Sequence, residues 1–341
     1  MNQTTGRLKT FHNGFGTTTY EYDLSDRVTK VIDHNGKATV YEYDSLGNRS
    51  AVRYPNGNVM TYTYDACQRL KEECVVNGSG VQLAKYTYGI GKAGERTSVT
   101  EINSLVETDI AYQYDKLNRL VKETIERNGN KLTNEYAYDK VSNRVSKKTS
   151  VSGELSALAD TTSGDVTVIP GITSYTYNAG NQLVMETSPE GTTTYTYDDN
   201  GSLTGQSGEK TATYTYDKER HLVRATIQKG NSVTVESYTY DYAGNRTSKT
   251  VNETDTTYYV TDTSGGLSQV VAETDETGAA TAFYTRGEDL IRMEKGGKTC
   301  YYLYDGHGNV RILTSAAGLV TDRYSYDACG NLLEKEGDTE N

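Results

Sequence analysis

Apolar and polar positions alternate along most of the chain. In the stretch VMTYTY, Met60, Tyr62 and Tyr64 fall on one face and Val59, Thr61 and Thr63 on the other. A period of two residues is that of a half-buried β-strand. The runs are short and are separated by Asn, Asp and Gly, residues that favour turns. Segments such as 117–127 contain helix formers but hold no i, i+3, i+4, i+7 stripe, so a helical reading fails. In 41–64, a strand ends in Tyr-x-Tyr and Asp44 begins a turn that closes at Gly47-Asn48. A second strand follows, then a second turn at Pro55–Asn58, then the next strand. The pattern predicts one β-hairpin per repeat, with Asn-Gly supplying two-residue hairpin turns and Asp accepting hydrogen bonds from backbone N–H groups two residues on.

The unit recurs. Tyr-x-Tyr-Asp occurs ten times, as Tyr20/Tyr22/Asp23, Tyr41/Tyr43/Asp44, Tyr62/Tyr64/Asp65, Tyr112/Tyr114/Asp115, Tyr136/Tyr138/Asp139, Tyr195/Tyr197/Asp198, Tyr214/Tyr216/Asp217, Tyr238/Tyr240/Asp241, Tyr302/Tyr304/Asp305 and Tyr324/Tyr326/Asp327. Tyr86-Thr-Tyr88-Gly89 and Tyr175-Thr-Tyr177-Asn178 are near copies, and the spacing is mostly 19 to 26 residues. Gly stands three residues after the Asp at Gly47, Gly201, Gly244, Gly308 and Gly330; Asp26, Gln68, Asn118, Ser142 and Arg220 occupy that place elsewhere. A tandem period of this length signals a repeat architecture. Thirteen or fourteen hairpins would give roughly 26–28 strands and, at about 4.8 Å each, a ribbon on the order of 130 Å wide. Open twisted sheets rarely exceed about ten strands without curling. No helices are at hand to cover either face, so the ribbon must coil around hollow space. The expected fold is therefore all-β: one long, antiparallel, strongly curved sheet of tandem hairpins.

Composition agrees. Among 341 residues there are 30 Tyr, 33 Gly and 49 Thr, with 3 Phe, 3 Pro and no Trp. Tyr and Thr favour strands. The net charge of −11 and the scatter of Lys and Arg disfavour nucleic acid as a partner. No apolar window is long enough for a membrane-spanning helix, and the N-terminal stretch lacks the apolar segment of a signal peptide.

Candidate chemistry is sparse. His12, His34, His221 and His307 lie at or beside turns and form no triad; the recurrent Asp has a structural task at its turn. Asp198-Asp199-Asn200-Gly201 is too short for a calcium loop, and Gly91–Gly94 and Gly296–Lys298 lack the rest of a phosphate loop. Four scattered Cys suggest neither a metal site nor a disulfide framework; Cys67 and Cys329 are expected to act as small hydrophobes. No catalytic, metal or cofactor-binding residue is assigned. The tyrosine stripes have two readings, packing and the stacking of sugars.

Tyr-x-Tyr-Asp-x-x-Gly-Asn-Arg/Leu at this spacing resembles the RHS repeat, also called the YD repeat, from about Gly6 to Leu333. Residues 258–332, from YYVTDTSGG to YSYDACGN, are similar to the stretch leading into the RHS-associated core. The family includes bacterial polymorphic toxins, the B and C components of insecticidal toxin complexes, wall-associated proteins and animal teneurins. The resemblance implies a β-ribbon spiralling into a partial hollow shell, with a toxic domain held inside in the toxins. Family cores continue to an aspartyl self-cleavage site beside an Asp-Pro pair. The prolines here follow Tyr54, Ile169 and Ser188, so no catalytic residue carries over. The expected organisation is a repeat array over 1–257, with a longer inserted segment at about 146–174, then C-terminal repeats over 258–333 and a disordered tail over 334–341. The expected role is a non-catalytic length of shell wall in a secreted or cell-surface bacterial protein. Its partners would be flanking repeats, core and toxin cargo. The competing reading is a cell-surface module that contacts glycans.

Overall fold

The computed structural model describes residues 9–103, 106–159, 168–265 and 267–339. They form 29 β-strands and one short 3₁₀ turn, Leu155–Ala157, and contain no α-helix. The strands belong to a single sheet, and pairing runs antiparallel between neighbours in sequence, as in Ala38–Tyr43 against Arg49–Arg53 and the latter against Val59–Tyr64. The anticipated hairpin array is thus present. The longer inserted segment expected at about 146–174 lies partly outside the described residues. Strand Arg144–Ser152 fills its start, and Leu158 and Ala159 beyond it are buried. At the other end, strand Leu332–Glu336 extends into the stretch assigned to a tail, and Thr339 N–H donates to Asp322 Oδ1 at 2.9 Å.

A bulge recurs in these hairpins. Glu42 pairs with Ala51 but Tyr43 pairs with Arg49, leaving Ser50 unmatched, and the same slip falls before Tyr22, Tyr64, Tyr114, Tyr177, Tyr197, Tyr216, Tyr240, Tyr304 and Tyr326. An extra residue on one strand bends it and increases the local twist. A local bend is therefore written into these ten repeats beside the second tyrosine.

The chain divides into two compact units. One holds the described residues of Met1–Thr133, Val151–Val168 and Ala282–Asn341. Its core takes Tyr41, Met60, Tyr62, Val75, Tyr86 and Val99 from the N-terminal hairpins and Ile291, Tyr301, Leu303 and Ile312 from the C-terminal ones. Tyr54 meets Tyr301 edge to face with centroids 6.2 Å apart, a pair worth about 0.5–1.5 kcal/mol beyond burial. A smaller cluster of Met293, Cys300, Tyr302, Leu313 and Tyr324 lies among the C-terminal strands. The other unit holds Asn134–Ser150 and the described residues of Ile169–Thr281. Its strands alternate half-buried Tyr with exposed Thr, as in Gly191–Tyr197, and its buried side chains include Asn134, Tyr136, Ala212, Ala225 and Ala272.

Candidate functional site

Three recurring devices place the motif residues. The first is the Asp turn. Asp44 N–H donates to Asn48 O (2.8 Å) and Gly47 N–H to Asp44 O (3.1 Å). Asp44 Oδ1 accepts from the N–H groups of Leu46 and Asn48, both at 2.9 Å, and Oδ2 accepts from Asn48 Nδ2 at 3.0 Å. Asn143, Asn245, Asn309 and Asn331 close the turns of Asp139, Asp241, Asp305 and Asp327 in the same way. At Asp23, Asp65 and Asp115 the Nε of Arg27, Arg69 or Arg119 takes that place. Asp198 accepts from the N–H groups of Asn200 and Ser202, and Asp217 from His221 N–H and its ring. At two of these turns the bonds favour the ionised carboxylate: the Asn48 amide holds Asp44 below the ordinary carboxylate value, and the Arg119 guanidinium does so for Asp115.

The position three residues after the Asp lies in the left-handed region whatever its side chain. Gly47, Gly201, Gly244, Gly308 and Gly330 have φ of 92°, 84°, 81°, 82° and 82°, and Asp26, Gln68, Asn118, Ser142 and Arg220 have 64°, 61°, 60°, 74° and 68°. The turn keeps its geometry and absorbs the cost of a Cβ. The second turns differ from expectation. Around Asn35-Gly36, Asn56-Gly57 and Asn77-Gly78 the chain makes the longer Asp-turn loop, closed by Asp33 N–H to Lys37 O, Tyr54 N–H to Asn58 O and Asn77 N–H to Val81 O. Asp33 and Asn77 caps select that loop: their Oδ1 atoms accept from Lys37 and Val81 N–H groups. Asn128-Gly129 and Gly296-Gly297, with φ of 50° and 77°, and 57° and 74°, form the two-residue hairpins expected of such pairs.

The second device is a tie between hairpins. The hydroxyl of the second motif tyrosine donates to the carbonyl of the first residue in the closing strand of the preceding hairpin. Tyr43 reaches Val28 O, Tyr64 Arg49 O, Tyr114 Arg96 O, Tyr177 Arg144 O, Tyr197 Leu183 O, Tyr216 Leu203 O, Tyr240 Leu222 O and Tyr304 Leu290 O, all at 2.8–2.9 Å. The accepting residues sit at the bulges, where the ladder is interrupted. Tyr22, Tyr138 and Tyr326 are half-buried like the others. The first tyrosines serve packing: Tyr41, Tyr62, Tyr136, Tyr302 and Tyr324 are buried, while Tyr20, Tyr112, Tyr195, Tyr214 and Tyr238 are half-buried.

The third device, which sequence reasoning missed, lies in the first unit. Three buried carboxylates, Glu73, Glu101 and Glu123, pair across the ladder with Tyr62, Tyr86 and Tyr112. They receive the C-terminal hairpins. Glu101 binds the Arg311 guanidinium twice, at 2.8 and 2.6 Å, and Arg311 also reaches Asp305 at 3.1 Å. Glu123 Oε1 accepts from Ala328 N–H at 2.7 Å. Glu73 Oε2 accepts from Tyr88 OH at 2.7 Å, and Tyr88 OH accepts from Gly306 N–H at 2.8 Å. Arg292 pairs with buried Asp33, and Arg127 holds Glu334. Burial pushes the Glu73 carboxyl up to about 7. A signal existed: a Glu opposite the first tyrosine of a motif must share its inward face. Its partners, more than 200 residues away, could not be inferred from spacing.

A cavity of about 370 Å³ in this unit is lined by Tyr88, Tyr112, Tyr114, Arg96, Glu101 and Arg311, among others. Its charged groups are engaged: Arg311 with Glu101, and Arg96 with the His307 ring and Gly306 O. His34 lies 3.0 Å from Glu294 and His221 3.1 Å from Asp217. Cys67 and Cys329 are not small buried hydrophobes: both are exposed at turn tips, as Leu46 and Leu117 are, because that place faces away from the hairpin. Cys300 is the buried one. No cluster of three or more His, Cys, Asp or Glu among the described residues is arranged to hold a metal ion.

Residues 22–59, 43–82 and 304–340 match the model of the RHS repeat. The tRNA3(Ser)-specific nuclease WapA of Bacillus spizizenii is 32% identical over 229 residues, and the tRNA nuclease WapA of Bacillus subtilis 31% over 229. Each alignment covers 67% of this chain, which spans only 9% of the length of either relative. Among solved structures, TcdB2-TccC3-TEV superposes with a TM-score of 0.54 at 12% identity, over 95% of this chain and 18% of that one. The Photorhabdus luminescens Tc holotoxin pore gives 0.50 at 16% identity, over 98% and 20%. At such identities the likeness concerns the fold. With the repeat model matched in three stretches and Tyr-x-Tyr-Asp hairpins throughout, the chain belongs to the RHS-repeat family.

Proposed function

We propose that this chain is a structural, non-catalytic length of RHS-repeat wall, belonging to a secreted or cell-surface bacterial protein whose shell encloses or displays a toxin or effector cargo. Its partners are then the flanking repeats, the core and that cargo. One observation carries the reading: the residues that repeat most faithfully are occupied in holding hairpins. The Asp carboxylates cap turns, and the tyrosine hydroxyls tie neighbours together. Relatives named as nucleases support a toxin context, and the nuclease activity is assigned here to other parts of those much longer proteins. The test is to incubate the purified chain with total tRNA and follow cleavage. Intact tRNA is expected. Cleavage that disappears with Asp115→Ala, a turn residue, would overturn the assignment.

A further inference from the structure

We propose that Glu73 is a protonation switch for docking the C-terminal turn 305–309 onto the tyrosine face of its unit: neutral Glu73 holds the turn, and ionised Glu73 loosens it. The geometry is a relay. Tyr88 has one hydroxyl proton, which it gives to Glu73 Oε2 at 2.7 Å, and its oxygen receives Gly306 N–H at 2.8 Å. The turn thus touches Glu73 through a single shared oxygen. Glu73 is 2% exposed, on strand Leu70–Val76 between Tyr62 and Tyr86.

The charged and titratable groups around it come from every neighbouring element. Tyr54, Tyr62 and Tyr64 face it from one side, Tyr86 and Tyr88 from the other, with Arg49, Arg96, Asp289, Tyr304 and Asp305 at the rim. Neither arginine is committed to Glu73. Arg49 pairs with Glu288 and Asp289 at 3.2 Å each, and Arg96 with the His307 ring and Gly306 O. Asp305, buried in the docked turn, lines the same small cavity of about 150 Å³ as Glu73. Ionising Glu73 therefore sets a second carboxylate beside Asp305 on the wall of one cavity, where like charges repel.

Burial is the main cause that raises the Glu73 carboxyl to about 7, and Asp305 adds to it, against Tyr88, Arg49 and Arg96. The sign follows. A carboxyl raised on folding contributes most at low pH, and that contribution is lost as pH rises through the folded value. His307 is lowered by burial and by Arg96, so it is neutral above its ordinary value and does not produce a rise there.

The test is hydrogen exchange in the full chain between pH 6 and 8, corrected for intrinsic rates and followed at turn 305–309 and strand Val310–Ser315. The opening constant of this region should rise about tenfold across that range, as expected for a group titrating near 7 that regains its ordinary value on opening. Glu73→Gln should be flat, with protection above that of the parent at both pH values. His307→Gln should keep the parental slope. If Glu73→Gln does not fold, Tyr88→Phe serves: with the relay cut, turn 305–309 should exchange fast at both pH values. A rise that persists in Glu73→Gln, vanishes in His307→Gln, or survives in full in Tyr88→Phe overturns the switch.

Discussion

Tyr214 and Tyr216 offer a controlled test of what the motif does. They lie two residues apart on strand Lys210–Tyr216 and are both half-buried. The Tyr216 hydroxyl donates to Leu203 O at 2.9 Å; among the described residues Tyr214 OH has no such partner. Removing one oxygen from either side chain leaves strand propensity and ring packing almost unchanged. Tyr216→Phe then loses one hydrogen bond, worth about 0.5–1.5 kcal/mol, and leaves the Leu203 carbonyl to find water. Tyr214→Phe should stay within about 0.5 kcal/mol. Repeat arrays need not unfold in one step, so a single melting curve is a poor readout. Hydrogen exchange across strands Leu203–Ser207 and Lys210–Tyr216 is local. A loss of about 1 kcal/mol appears there as roughly fivefold faster exchange. Equal effects of the two substitutions, or a larger one for Tyr214→Phe, would refute the idea that the second tyrosine is the tie.

Three further outcomes are expected. Gly308→Ala should lower thermal stability by about 1 kcal/mol through backbone strain, since φ is 82° and nothing lies within 4 Å of the new Cβ; Arg220→Gly, at φ 68°, should raise it. Arg311→Met strands Glu101 without its counter-charge and should cost about 3–5 kcal/mol in urea denaturation, much of it recovered by adding Glu101→Gln. The Asp115 carboxyl is held low by Arg119, so its contribution is present above the ordinary carboxylate value and is lost as pH falls through the folded one; Asp115→Asn should flatten acid unfolding in that range, and an unchanged acid limb would count against the turn geometry.

The hairpin array was legible because its determinants are local. Alternation around Met60, Tyr62 and Tyr64 marks strands, and Asp44 with Gly47 marks a turn, each within a few residues. The tie was half legible. A chain with 30 Tyr and 3 Phe uses the hydroxyl for something, since Phe would fill the same space. What it reaches depends on the bulge, and a bulge is a one-residue slip that pattern alone does not show. The second turns were misjudged because Asn35-Gly36 on its own suits a two-residue loop, whereas Asp33 two residues earlier caps a longer one. The docking carboxylates were invisible for another reason. Glu73 and Glu101 gain meaning only from Gly306 and Arg311, and contacts so distant in sequence are fixed by how the finished unit closes.

Each tie points backwards. Tyr64 reaches Arg49, Tyr197 reaches Leu183, and most spans are 13 to 18 residues. A polypeptide emerging from a ribosome or an export pore therefore meets its stabilising acceptor already built, never one still to come. Assembly of this kind works as a ratchet: every new hairpin clicks onto its predecessor, and the backbone need not wait for distant partners before it stops sliding back.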